Sequence, residues 1–326
     1  MSDKSALVLV SDAGYLDYTK QVFYSAVRYG NWKGDLVLIV CDVDSAELEW
    51  FHKRNITVLS PDALIDRKVN GWPRIVFQKL YLIHPMMKKW DKVVYLDTDV
   101  MIFRDINKLT NYNSFAAHKE NADLNIRGQF ILDKNLDEDG RELMKELSES
   151  YNLNRIALNV GVMVFNTDQN TDELFNEACR LLNRYESVLR YPEQAIFNLI
   201  FYKKWKNLPY YFNDYTFFFY KKDVEKNKFL QLIKRKSKIL HFIGEVKPWH
   251  ETCYFHEEWK ENLAEAENLP LVDKIGEVPS SLTDLRRTWY RNMIKFTIFF
   301  AHLSWLTGRL LHRISPAAYH FLKRFI

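Results

Sequence analysis

Short apolar runs alternate with amphipathic stretches through the first hundred residues, and few folds accept that rhythm. Residues 6–11 are an apolar run, 17–29 carry apolar residues at helical spacing, and 35–40 are a second run. A second helical stretch follows at 45–54, with Asp44 or Ser45 at its start, then a third short run at 56–59. A further helix is expected over 74–84 and an apolar strand over 92–96. This alternation predicts βαβ units, an α/β fold and a largely parallel sheet. Such sheets bind ligands in the crevice beyond the carboxyl ends of their strands. More strands are expected over 114–118, 158–166 and 239–242, with helices near 171–190 and 193–202. The polar stretch 119–150 reads as a loop beside the crevice.

The strand at 92–96 runs directly into Asp97-Thr98-Asp99, after which the chain returns to Val100-Met101-Ile102-Phe103. Two acids therefore interrupt a segment that burial would otherwise favour. Buried neighbouring carboxylates are costly unless a cation or a paired partner compensates them. An Asp-x-Asp pair at a strand end supplies hard oxygen ligands to a divalent cation, which acts as a Lewis acid towards a departing diphosphate. The plainer alternative is that both acids cap a turn. The same pattern recurs at Asp42-Val43-Asp44 and Asp137-Glu138-Asp139. The first belongs to a capping-box sequence, Asp44-Ser45-Ala46-Glu47, and the second reads as solvated loop. Residues 241–249, His-Phe-Ile-Gly-Glu-Val-Lys-Pro-Trp, add an imidazole at a strand end, a glycine and a lysine. Those are a third metal ligand, room for backbone to approach a phosphate, and a positive charge for a leaving group.

Four segments occur in order: Tyr95-Leu96-Asp97-Thr98-Asp99-Val100, Leu158-Asn159-Val160-Gly161-Val162, Glu193-Gln194, and 241–249. Together they resemble glycosyltransferase family 8, which includes glycogenin and bacterial lipooligosaccharide galactosyltransferases; the likeness runs over residues 6–250. It implies a GT-A type nucleotide-diphospho-sugar transferase fold with a Rossmann-like mixed sheet. It also implies Mn2+, or Mg2+, held by Asp97, Asp99 and His241, and a UDP-sugar donor. By the same likeness Gly244 and Lys247 meet the diphosphate, while Ser11, Asp12 and Tyr15 contact the uridine. Lys79 matches the family's basic residue near the donor. Asn159, Glu193 and Gln194 match residues around the transferred sugar, with Gln194 close to the anomeric carbon on the attacked face. The family commonly carries Asp-Gln where this chain has Glu193-Gln194, and Gly14 before Tyr15 also departs from its pattern. Donor identity therefore does not carry over, and UDP-glucose and UDP-galactose lead by resemblance alone. The implied outcome is retention of anomeric configuration, the departing phosphate oxygen taking the acceptor's proton on the same face.

Charge is divided unevenly along the chain. The net charge is +4, yet residues 286–326 hold eight Lys or Arg and no Asp or Glu, which leaves −4 on the first 285 residues. That split gives no support for a nucleic-acid groove across the body, and it points the tail towards an anionic surface. A helical wheel over 289–314 gathers Arg291, Lys295, His302, Arg309 and Arg313 in one sector, with Met293, Ile294, Phe296, Phe300, Leu303 and Leu310 elsewhere. Its longest apolar stretch, 296–301, is too short to span a bilayer, so the segment is expected to lie in the interface. The alternative is a helix packed on the catalytic domain.

The expected organisation is a catalytic domain over 1–270 and a C-terminal amphipathic helical appendage over 271–326, basic and aromatic. Three scattered cysteines argue against a disulfide framework, and the start of the chain has no signal-peptide pattern. The expected location is cytoplasmic, peripheral on the inner face of the membrane. His250, Cys253 and His256 stand close together, but a structural zinc takes four ligands and only three are present. The aromatic residues from Tyr210 to Tyr220 read as core packing, with sugar stacking as the alternative. Asn70-Gly71-Trp72-Pro73 reads as a turn that starts a helix.

These readings converge on a retaining, metal-dependent hexosyltransferase that uses a UDP-hexose and a glycan or glycolipid acceptor of lipopolysaccharide type. The alternatives are a self-glucosylating initiator, a catalytically silent nucleotide-sugar binding module, and a nucleotidyltransferase.

Overall fold

The computed structural model describes residues 4–120, 125–215 and 237–269. Strands β1 (Ser5–Ser11), β2 (Asp35–Val40), β3 (Thr57–Leu59), β4 (Lys92–Leu96), β6 (Ala116–Lys119), β7 (Leu158–Asn166) and β8 (Lys206–Asn207) form one sheet, ordered β3-β2-β1-β4-β7-β6-β8. A smaller sheet, β5-β10-β9, is built from β5 (Val100–Ile102), β9 (Asp214–Tyr215) and β10 (Ile239–His241). The helices are α1 (Leu16–Arg28), α2 (Glu49–His52), α3 (Glu138–Ser150), α4 (Asp172–Tyr185), α5 (Pro192–Ile200) and α6 (His256–Ala266).

The apolar runs become central strands because both faces of the sheet are covered. In β1, Ala6, Val8 and Val10 face a layer containing Phe77, Leu80, Leu181 and Phe197. Leu7 and Leu9 face the opposite layer, with Phe23, Trp32 and Phe51. Strand alternation thus feeds two cores from one run. The α/β class and the largely parallel mixed sheet are as expected: β7 alone runs against the other six strands. Strands β3, β2, β1 and β4 run parallel, whereas β7 is antiparallel to both β4 and β6. The strand order reverses between β1 and β4, so their carboxyl ends, at Ser11-Asp12 and Asp97, flank the crevice where such folds place ligands.

Three local expectations change. Residues 119–150 contain α3, whose first turn is capped by Asp137 accepting from the Gly140 amide at 2.7 Å, so Asp137 is a helix cap and not solvated loop. Asp44 holds the N-cap position before 45–48, but its side chain makes no capping bond. The helix expected over 74–84 is a 3-10 helix, Arg74–Ile83. The turn at Asn70-Gly71 is formed, with φ of 50° and 87°. Phe212 joins the core and Tyr211 packs against it, while Tyr210 is exposed; the aromatic residues from 216 to 220 lie outside the described residues.

Candidate active site

Strand β4 delivers Asp97 to the crevice, where its amide donates to the Gly161 carbonyl of β7 at 2.9 Å. Three residues later the chain enters β5, which pairs antiparallel with β10 and sets Val100 opposite His241. The Phe242 amide donates to the Asp99 carbonyl at 3.0 Å, which locks the loop after β10 against the acidic pair. One ligand atom from each of Asp97, Asp99 and His241 lies within 4.8 Å of the other two. His241 Nε2 is 3.2 Å from Asp99 Oδ1 and 3.6 Å from Asp97 Oδ2. Among the described residues no other group of histidine, cysteine and acids converges in this way, the sequence 250–256 included. There the His250 and His256 rings instead meet the Lys247 amide and the Pro248 carbonyl.

Two lysines partner the acids from opposite sides. Lys247 reaches Asp99 Oδ2 at 2.6 Å, and Lys79, carried by the 3-10 helix, reaches Asp97 Oδ1 at 2.8 Å and Glu193 Oε1 at 3.1 Å. Burial alone would depress the Lys79 ammonium, but Asp97, Tyr95 and Glu193 outweigh it and push it well above the ordinary lysine range. Burial likewise pushes Asp99 up, yet the His241 imidazole and the Lys247 ammonium hold its carboxyl well below the usual carboxylate range. Even so, Asp99 Oδ1 and Glu193 Oε2 are buried and receive no hydrogen bond from the described residues, and the same is true of Asp12 Oδ1. A buried orphan acceptor costs about 1–3 kcal/mol, so a cation or donor that reached these oxygens would recover that cost. Two carboxylates and an imidazole, with one carboxylate oxygen bare, fit a divalent cation of the hard to borderline class.

Glu193 and Gln194 lie in α5, and Pro192 before them starts that helix. The Gln194 side chain is held by the Val160 amide at 3.2 Å, Gln129 Oε1 at 2.6 Å and Glu120 Oε1 at 3.2 Å. Asn159 Nδ2 donates to the same Glu120 oxygen at 2.9 Å, and Asn159 Oδ1 accepts from the Gly161 amide at 2.9 Å and from Asn213 Nδ2 at 2.8 Å. Asn213 Oδ1 is in turn 2.9 Å from His241 Nδ1. A polar chain therefore joins the α5 carboxamide to the imidazole. Tyr15 is 44% exposed above the crevice and meets Trp249 edge-on, with ring centres 6.1 Å apart. Trp249 stacks on Tyr18 at 4.0 Å. Ser11 is buried and its hydroxyl donates to the Asp12 carbonyl at 2.9 Å. Beyond β1 and β2 a cavity of about 350 Å³ is lined by Asp12, Cys41, Asp42, Arg67, Arg74 and Ile75. Asp42, at φ 52°, pairs there with Arg74.

The two glycines of the motifs differ. A Cβ on Gly161 would lie 2.0 Å from His241 Cε1, so the imidazole occupies the space a side chain would need. A Cβ on Gly244 would meet nothing within 4 Å. Of the residues named from sequence, Asp97, Asp99, His241, Lys247, Lys79, Glu193, Gln194 and Asn159 thus join one network of ion pairs and hydrogen bonds, whereas Asp12 lines the separate cavity beside Arg74. Sequence reading missed Asn213, Glu120, Gln129 and Arg74. Asn213 sits directly after an aromatic run, a polar interruption of the kind that singled out Asp97 and Asp99.

A family model, glycosyl transferase family 8, matches residues 6–253. The chain belongs to glycosyltransferase family 8. Among curated relatives, a lipopolysaccharide 1,2-glucosyltransferase of Escherichia coli K12 is 22% identical over 227 residues, 69% of this chain and 63% of its own length. A second Escherichia coli protein of that name is 25% identical over 186 residues, 56% of this chain and 51% of its own. The chain therefore spans between half and two thirds of the length of these relatives. Among solved structures, the bifunctional glycosyltransferase WbbM superposes with a TM-score of 0.60 at 23% identity, over 84% of this chain and 51% of that one. The galactosyltransferase LgtC, solved with donor and acceptor sugar analogues, gives 0.57 at 16% identity, over 81% and 97%. At these identities the structural likeness establishes the GT-A fold of this family 8 chain.

Proposed function

We propose that this family 8 chain transfers a hexose from a UDP-sugar to a glycan of lipopolysaccharide type, with retention and with Mn2+. The observation that carries the reading is the convergence of Asp97, Asp99 and His241 around a bare Asp99 oxygen. A cation bound there neutralises charge on the departing diphosphate. Lys247 adds a positive charge at the same edge, and Gly244 leaves open space for the diphosphate to approach the backbone. The cavity beside Asp12 and Arg74 receives the nucleoside. Glu193 Oε2, buried and without a donor among the described residues, accepts from a hydroxyl of the transferred sugar, while Lys79 pairs with the other oxygen of that carboxylate. Gln194, held on three sides, lines the attacked face. The acceptor class follows the names of the Escherichia coli relatives, and residues 286–326 hold the enzyme at an anionic membrane face on its cytoplasmic side.

The test is hydrolysis of UDP-glucose and UDP-galactose with Mn2+ and no acceptor, assayed as released UDP. Asp99→Asn and His241→Ala are each expected to abolish release while leaving the thermal midpoint nearly unchanged. Full activity of both variants in the presence of a chelator contradicts the reading. With an acceptor present, an inverted anomeric signal in the first-formed product, read by NMR, contradicts retention.

A further inference from the structure

The chain of carboxamides behind His241 fixes more than its position. Asn159 can adopt only one amide orientation. Its oxygen faces the Gly161 amide, which can only donate, and its nitrogen faces the Glu120 carboxylate oxygen, which accepts. Flipping the amide would set donor against donor at 2.9 Å and acceptor against acceptor at 2.9 Å. With Asn159 Oδ1 thus placed, Asn213 must turn its nitrogen towards it, across 2.8 Å, and its oxygen towards His241 Nδ1, across 2.9 Å. An acceptor in that place demands a proton on Nδ1. In the neutral ring the lone pair then belongs to Nε2, the nitrogen that faces Asp97 and Asp99. A lone pair set against two carboxylates is repulsive unless a cation lies between them.

We propose that Asn213 is a positioning residue that presents His241 to the cation in one tautomer, Nδ1 protonated and Nε2 bare. The orientation comes from the Gly161 amide and Glu120 through Asn159. Gly161 serves the relay twice, since its amide orients Asn159 and its missing side chain seats the imidazole. Because the relay also touches Gln194 through Glu120, the donor-sugar side of the crevice and the cation side share one set of hydrogen bonds. The consequence for binding and the bare state of Nε2 rest on the metal reading above, whereas the proton on Nδ1 does not. Partners that fix a ligating histidine through its second ring nitrogen are worth about 10- to 100-fold in metal affinity.

The experiment uses the full chain labelled with 15N-histidine and free of metal, with His241 assigned by its loss in His241→Gln. Two-bond 15N–1H couplings in the wild-type chain are expected to report a proton on Nδ1. Asn213→Leu removes the acceptor, so the proton is expected to move to Nε2, and Mn2+ affinity, followed by EPR of the free ion, to fall by about 10- to 100-fold. Asn213→Asp keeps an acceptor and is expected to retain the Nδ1–H tautomer. An Nε2–H tautomer in the wild-type chain overturns the proposal, and that spectrum needs no variant to fold. Unchanged Mn2+ affinity and tautomer in a folded Asn213→Leu chain overturns it equally while leaving the metal reading intact. A wild-type chain with the Nδ1–H tautomer that takes up no Mn2+ supports the assignment of Asn213 and refutes the metal reading.

Discussion

Gly161 and Gly244 both stand in the motifs that first identified the site, yet protein packing requires only one of them to be glycine. Where His241 fills the space, Gly161→Ala must displace the imidazole or shift β7. The expected result is a loss of about 1–3 kcal/mol in urea unfolding together with at least a tenfold loss of Mn2+-supported turnover. Wild-type turnover in that variant would mean that His241 does not need its present seat. Gly244 faces open space, so Gly244→Ala should leave stability within about 0.5 kcal/mol of wild type. Its expected signature is a raised KM for the UDP-sugar, and an unchanged KM refutes close approach of the donor there. Lys79 shows the limit of reading residues singly. Its resemblance to a basic family residue implied a place near the donor, and gave no hint that its nitrogen pairs with both Asp97 and Glu193. Those pairings set one positive charge between two carboxylates away from bulk water.

Elements with both faces covered were legible from local sequence, because an apolar run bounded by polar residues has one stable reading in an α/β chain. Strands β2, β4 and β7 match their expected limits residue for residue. Helix α3 escaped because acids and lysines dominate 119–150 and hide the spacing of Leu143, Met144 and Leu147, which bury one face. Its start signal was present in Asp137, set aside as one of three Asp-x-Asp patterns. That residue caps the helix, so Asp137→Ala should cost about 1 kcal/mol, seen as a lower urea midpoint with turnover unaltered. A variant as stable as wild type would show that the cap contributes nothing. The reverse error occurred at Asp44, whose capping-box sequence forms no side-chain cap, while Asp42 turns to Arg74 at the rim of the cavity. Spacing alone does not tell which acid of a pair meets the backbone.

On the scale of the whole chain, the alternation of strands and helices predicted a largely parallel sheet with its ligand crevice, and six of the seven strands do run one way. It did not predict that β7 runs antiparallel between β4 and β6. Strand direction depends on connections across distant segments, which periodicity does not report. The basic tail lies outside the described residues, and among those described no helix is long and apolar enough to cross a membrane. Charge still makes a prediction: removing 286–326 removes eight positive charges, so the truncated chain should no longer sediment with anionic vesicles. Its UDP release without acceptor should persist. Equal sedimentation of both chains would refute interfacial binding by the tail.

Sequence by itself determined the class of fold, most strands of the central sheet and the three side chains that converge at the candidate metal site, because burial and motif spacing act over a few positions. Tertiary structure alone decided who faces whom. Lys247 meets Asp99 across 148 positions, Lys79 meets Glu193 across 114, and Asn213 finds both Asn159 and His241. Such pairings depend on how β5 and β10 register and where β7 lies, and each hydrogen bond constrains the orientation of the next. No local pattern encodes that order, because the geometry exists only once the two sheets have been assembled around it.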